Sequence, residues 1–324
     1  MKKTTLILAI CVLNIFNANS QSITRLLVAS KDDDLLRVLD TNTYATVKSK
    51  VMAFTNSSYF FDGCTGLSRN PTTNALYIVV KDGGDRRLGV LDPLTGSITN
   101  KGILGDNFAA ITHNGNNTLL GVTGDGANVP ETAFRIDTIS AANASINFMG
   151  AGADGEVICF NPPSKKVYHW SGNGTVVYQK YDTNFVTPVN LPVGAYSGEI
   201  LAAVYKTNGK FITVNINDEF RLTDSLGNFG APASTYSQSI KGMAYITCPR
   251  VITGTLSFCP GSSTTLTMSG KGEGYQWYRN NIAIGGANSS TLAATLAGHY
   301  NCMIDDACGM DSTALGVTVQ TLSL

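Results

Sequence analysis

Across residues 23–247 the apolar positions come in short runs separated by clusters of Gly, Asn, Asp and Pro. Within several runs they alternate, as at Leu36/Val38, Leu88/Val90 and Phe220/Leu222. That is the period of a strand with one face in a core. The runs repeat one another. An apolar strand ending on an Asp recurs at Asp40, Asp92, Asp137, Asp182 and Asp224, an interval of about 45 residues. The fullest copy, residues 88–96, is Leu-Gly-Val-Leu-Asp-Pro-Leu-Thr-Gly. Each Asp carboxylate can accept a backbone N–H two residues on and so fix a tight turn. A second track interleaves with the first: Asn70, Asn114, Asn161 and Asn208 each start a turn and are followed by a strand.

Together the two tracks predict a four-stranded unit. In the clearest copy its strands cover 63–69, 75–80, a third ending at Leu91, and 97–102, with a charged hairpin tip at 81–86. Four short strands every ~45 residues make the blade of a β-propeller. Five Asp turns face only four Asn turns, and the first Asp turn has no leading strand before it. The missing strand sits at the other end, in 240–247, so pairing it with 23–30 closes a five-bladed ring and leaves no exposed sheet edge. An open solenoid or a sandwich is the competing architecture.

The Asp-Pro-x-Thr-Gly turn after an apolar strand resembles the repeat turn of YVTN, NHL and quinoprotein-type propellers, over about residues 22–248. Such folds host lectins, hydrolases, dehydrogenases and scaffolds, so the resemblance implies a fold and no activity. Beyond Cys248 the pattern becomes that of one β-sandwich, with strands at 264–268, 275–279, 290–294, 298–302 and 314–321. Trp277 followed by Tyr300-x-Cys302 resembles the core Trp and tyrosine corner of immunoglobulin domains. Cys259-Pro-Gly with Ala307-Cys308-Gly resembles the Ig-like modules of secreted and surface proteins of Bacteroidota. Met268 stands where such domains carry the strand-B cysteine, which puts a conventional inter-sheet bridge in doubt. The expected organisation is a signal peptide over 1–20, a propeller over 21–248 and an Ig-like sandwich over 249–324.

Composition supports export and narrows the partners. Lys2 and Lys3 precede a short apolar stretch, and Ala18-Asn19-Ser20 offers a cleavage site. No later stretch is long and apolar enough for a membrane-spanning helix. Basic and acidic residues balance at 23 each; with no Lys/Arg cluster, nucleic acid is not an expected partner. Without Cys11 an even set of cysteines remains. Cys248, Cys259, Cys302 and Cys308 fall in the C-terminal region and can form two bridges in three ways. Cys64 and Cys159 sit at different heights on their strands and are expected to be unpaired buried thiols. The scattered His113, His169 and His299 have no metal-ligand spacing, and no cofactor motif is present.

Candidate chemistry gathers where the leading strands begin. Asp62, Asp106, Asp154 with Glu156, and Glu199 precede four of those strands, and Lys241 takes the equivalent place in the fifth. On one face they would ring a channel mouth, able to hydrogen-bond a sugar or hold a cation; as plain turn chemistry they would simply be solvated. Tyr59 is positioned to stack a sugar beside them, and 124–131 extends one hairpin into a loop that can carry binding. The leading functional expectation is an exported, non-catalytic recognition or adhesion protein. Its propeller would bind a glycan or a surface or extracellular protein, with the Ig-like module as spacer or second contact. One alternative is a secreted carbohydrate-active hydrolase of the arabinanase type using Asp62, Asp106, Glu156 and Glu199 as its carboxylates. The other is an envelope scaffold.

Overall fold

The computed structural model describes residues 21–124, 126–150, 157–171, 177–192, 198–312 and 316–322. The signal segment expected over 1–20 lies outside them. Every regular element among the described residues is a β-strand. The chain divides into two compact units. One is Arg25–Ile246; the other combines residues up to Thr24 with Thr247–Leu324.

Arg25–Ile246 is a β-propeller. Among the described residues its strands form five sheets, each antiparallel between successive strands of the chain. The first has the order Ile240–Arg250, Gln21–Ser30, Leu35–Asp40, Thr46–Val51. The second runs Cys64–Arg69, Leu76–Asp82, Asp85–Leu91, Ser97–Ile103, with Ala53–Phe54 added in parallel at its outer edge. The third runs Phe108–His113, Leu119–Thr123, Thr132–Ile136, Asn143–Phe148; the fourth, Val157–Asn161, Lys166–Ser171, Val177–Tyr181, Val189–Asn190. The fifth runs Ile200–Thr207, Lys210–Asn215, Glu219–Asp224, Phe229–Thr235.

The repeated turns have the chemistry their sequences imply. Asp40 Oδ1 accepts the N–H groups of Asn42 and Thr43, at 3.0 and 3.1 Å. Asp92 accepts from Leu94, Asp137 from Ile139 and Ser140, Asp182 from Asn184, and Asp224 from Leu226 and Asn228. Asn70 and Asn114 turn the other track in the same way. These bonds favour the ionised carboxylate, and they hold Asp40 and Asp137 below the usual range. Within the run Asp32–Asp34, Asp33 forms a two-pronged pair with the Arg37 guanidinium.

The core lies in seams between consecutive sheets. Val79, Leu88, Phe108 and Leu119 fill the seam between the second and third sheets, and Ala110, Leu120, Ile158 and Val167 the next. Trp170 stacks on Tyr178 with ring centroids 5.0 Å apart, and the pair packs with Phe211 of the fifth sheet. Leu26, Leu39, Ile212, Phe220 and Met243 fill the seam between the fifth and first.

The leading strands of neighbouring sheets touch directly. A Cβ on Gly242 would lie 2.9 Å from Cys64 Sγ, and one on Gly66 would lie 3.0 Å from the Ile111 nitrogen. Only glycine permits such approach. Side chains complete the joints: Thr65 donates to the Phe108 carbonyl at 2.8 Å, and Thr112 Oγ1 accepts the Phe160 N–H at 3.1 Å.

In the other unit, Ile252–Gly254, Thr264–Met268 and Thr291–Ala294 form one sheet. A second is built around Gly272–Arg279, Gly298–Asp306 and Val317–Thr321. Both contribute to one core containing Leu266, Met268, Trp277, Tyr300, Cys302 and Ile304. Tyr300 donates its hydroxyl proton to the Leu296 carbonyl at 2.6 Å. Cys248 is bridged to Cys308. The expectation of two bridges among the four local cysteines needs correcting, since Cys302 carries a thiol, packed in that core and pushed up to about 11 by burial. Cys64 and Cys159 are also buried thiols.

Candidate functional site

Two cavities lie at opposite ends of the leading strands. At their C-terminal ends lies a cavity of about 350 Å³ to which all five sheets contribute. Leu67 and Arg69, Ile111 and Asn114, Ile158 and Pro162, Val204 and Tyr205, and Met243 and Tyr245 come from successive sheets. Its walls are therefore largely apolar, with polar groups converging on it, the usual constitution of a small-ligand site. Arg69 is anchored by Asn74, and Tyr205 accepts the Gly209 N–H at 3.2 Å. The Tyr245 hydroxyl is buried with no hydrogen-bond partner, and burial raises its pKa.

Beside this cavity, Ser68 joins the second sheet to the third. Its Oγ accepts the His113 N–H at 2.9 Å and lies 3.0 Å from His113 Nδ1. With one donor and two acceptor sites, Oγ can bond Nδ1 in either ring tautomer, donating to it or accepting from it. The ring's Nε2 is buried without a partner, against the Tyr77 ring. Burial holds the His113 pKa down at about 4. Both residues line the cavity; the serine Oγ also accepts a backbone N–H, and the imidazole is buried against the Tyr77 ring.

At the N-terminal ends of the strands is a second cavity, about 380 Å³, and here the sequence-derived carboxylates distribute unevenly. Glu199 lines it and faces Lys241, with Oε1 and Nζ 3.6 Å apart. Asp106 turns to the backbone instead. Its two oxygens accept the N–H groups of Asn107, Asn128 and Val129 at 2.8, 2.7 and 3.0 Å, which ties the inserted hairpin to the start of the third sheet. Asp62 is exposed, and its charge raises the pKa of Arg86 against the larger, lowering effect of burial. Asp154 and Glu156 lie outside the described residues.

The acidic ring with one lysine expected from sequence includes Asp154 and Glu156, so the described residues give only part of the lining. Lys31, Lys81, Arg86 and Lys241 line this cavity, and Glu199 is the acid among the described lining residues. The extra cations come from the turn after residues 21–30 and from the hairpin at 81–86, places that a search of leading-strand starts does not reach. Tyr59 is already engaged. The Arg87 guanidinium sits 4.2 Å from its ring centroid, and Phe54 packs against it at 5.5 Å. The exposed aromatic of that segment is Phe60.

Among groups able to ligate a metal, the described residues bring together Cys248, Asp306 and Cys308. Both sulfurs are committed to the disulfide, which leaves one carboxylate, itself paired with Arg250.

No protein-family profile and no curated protein matches the chain. Among solved structures, a nidogen/laminin complex aligns over 68% of this chain and 98% of the other, at 10% identity and a TM-score of 0.48. A protein of unknown function from Bacteroides caccae aligns over 69% and 98%, at 9% identity and 0.44. The extracellular domain of a putative one-component system from B. thetaiotaomicron aligns over 91% of this chain, at 9% identity and 0.40. The alignment spans 50% of that domain's own chain.

Proposed function

We propose that the chain is an exported, non-catalytic recognition protein whose propeller binds a glycan or an extracellular protein. In this reading the five sheets are the five blades of a ring closed by the N- and C-terminal strands. The unit after it is an Ig-like sandwich serving as spacer or second contact. Trp277 in its core and the Tyr300–Leu296 bond support the Ig-like assignment.

The observation that carries the function is the C-terminal cavity. All five sheets supply its walls, so it is preorganised, and it mixes apolar surface with Arg69, Tyr205 and Tyr245. Preorganisation keeps the entropic cost of binding low. Against a hydrolase stand the engagements of its candidate carboxylates: Asp106 is spent on three backbone N–H groups, and Glu199 faces Lys241.

The test is a glycan-array screen of the mature protein alongside a panel of extracellular-matrix and cell-surface proteins. Saturable binding weakened at least tenfold by Arg69→Ala and by Tyr205→Ala is the expected result. Full binding in both variants would remove the cavity from the account.

A further inference from the structure

The N-terminal cavity has a charge pattern that folding alone does not explain. Lys81 and Arg86 are directly opposed partners across the second sheet's hairpin, and like charges so placed repel. Lys31 is brought beside them by Gly63. The Gly63 carbonyl accepts the Lys81 N–H at 2.9 Å, and a Cβ on Gly63 would lie 2.0 Å from the Lys31 carbonyl oxygen. Two lysine backbones are therefore held against a single glycine, at a φ of +97° that other residues rarely adopt.

Among the described residues, Lys31, Lys81 and Arg86 have no carboxylate within 4.0 Å. The Arg86 Nε is buried with no hydrogen-bond partner. Glu199 answers Lys241, so the described lining residues carry four cations against one acid, with Asp62 and Asp218 acting on Arg86 and Lys31 from farther away. A concave, partly desolvated cluster of this kind focuses field on anions. A guanidinium with an unspent N–H suits the paired oxygens of an oxyanion. Thr65 and Asn107 line the same cavity.

From this we infer that the N-terminal cavity is a binding site for an oxyanion, as a carboxylate or sulfate group on a larger ligand, with Lys31, Lys81 and Arg86 as its recognition residues. The site stands on its own geometry and does not depend on what the C-terminal cavity binds.

Thermal unfolding and calorimetry of the mature protein, at constant ionic strength in chloride, test it with three probes: sodium sulfate, an oligogalacturonate and a neutral galactose oligomer of equal length. The site requires that sulfate or the uronate raise the melting temperature in a saturable way while the neutral oligomer does not. Sulfate alone would assign the ligand to sulfate esters, and uronate alone to carboxylates. Affinity should fall at least tenfold in Arg86→Gln and again in the Lys31→Gln/Arg86→Gln double variant, with Lys165→Gln as a remote control. Without ligand, Lys81→Gln should melt no lower than the parent, because it relieves repulsion and breaks no ion pair. Equal response to all three probes, no response beyond chloride, or undiminished anion binding in the double variant would each overturn the inference.

Discussion

Lowering the pH from 7 to 5 probes the joint between the second and third sheets. His113 is buried, and its Nδ1 faces the Ser68 hydroxyl while its Nε2 has no partner. A second proton on the ring leaves a charge in a dry seam, whichever nitrogen receives it. Burial accordingly places the folded-state pKa at about 4, against 6.5 for an ordinary imidazole. The folded pKa is the lower one, so between these values the unfolded chain binds a proton that the folded chain refuses. Stability is complete above pH 6.5 and declines as pH falls through that value. Linkage between the two pKa values amounts to about 2 kcal/mol lost at pH 5. Carboxylates held low, such as Asp40 and Asp137, release their contributions only below this window. Urea unfolding at pH 7 and pH 5 should show the loss in the parent protein and not in His113→Asn, whose side-chain oxygen can still accept from Ser68. NMR titration of the ring gives the second reading. Parallel losses in both proteins, or a His113 ring titrating near 6.5 in the folded state, would refute the reasoning.

Three further outcomes follow from the packing. Arg250 donates to both oxygens of Asp306 at 2.9 and 2.8 Å, with both side chains buried; Asp306→Ala should cost about 3 kcal/mol by removing the buried partner of a guanidinium that keeps the Gly309 carbonyl and the half-exposed Asp311, and the double variant Arg250→Met/Asp306→Leu less, as measured by chemical denaturation. The Cys248–Cys308 bridge spans a sequence separation of 60; replacing both residues with serine should cost about 4 kcal/mol by loop-closure entropy, checked by urea unfolding of parent and variant under oxidising conditions. Asp106→Ala should speed amide exchange at Asn128 and Val129, whose N–H groups lose their acceptor, while exchange in Cys64–Arg69 stays unchanged; equal exchange in parent and variant would remove Asp106 from its anchoring role.

What was legible in the sequence was what is local. An Asp closing a strand bonds the second residue after it wherever it sits, so Asp40, Asp92, Asp137, Asp182 and Asp224 announced their turns without knowledge of the rest. Alternation marked strands for the same reason. The pairing of residues 240–250 with residues 21–30 was accessible only through the mismatch in turn counts, since nothing in either segment alone specifies its partner. Side-chain engagements across sheets were not accessible. Tyr59 looked available for stacking because Arg87 approaches it from a strand almost thirty residues away. Asp106 looked like a mouth carboxylate because the backbone it caps belongs to a hairpin more than twenty residues on. Cysteine pairing failed similarly: spacing allowed Cys302 a bridge, but Met268 fills the core where a strand-B cysteine would stand, and Cys302 keeps its thiol. The cationic lining of the N-terminal cavity needed Gly63, which draws together a turn and a hairpin that spacing does not connect.

The central claim is that recognition occurs on the propeller's axis. Hydrogen–deuterium exchange of the mature protein, with and without a ligand taken from the binding screen, addresses it most directly. The account predicts protection at the C-terminal ends of the leading strands, around Leu67–Arg69, Ile111–His113, Ile158–Phe160, Ala203–Tyr205 and Met243–Tyr245, all of which line one cavity. Protection confined to the outer strands, or to residues 250–322, would contradict it.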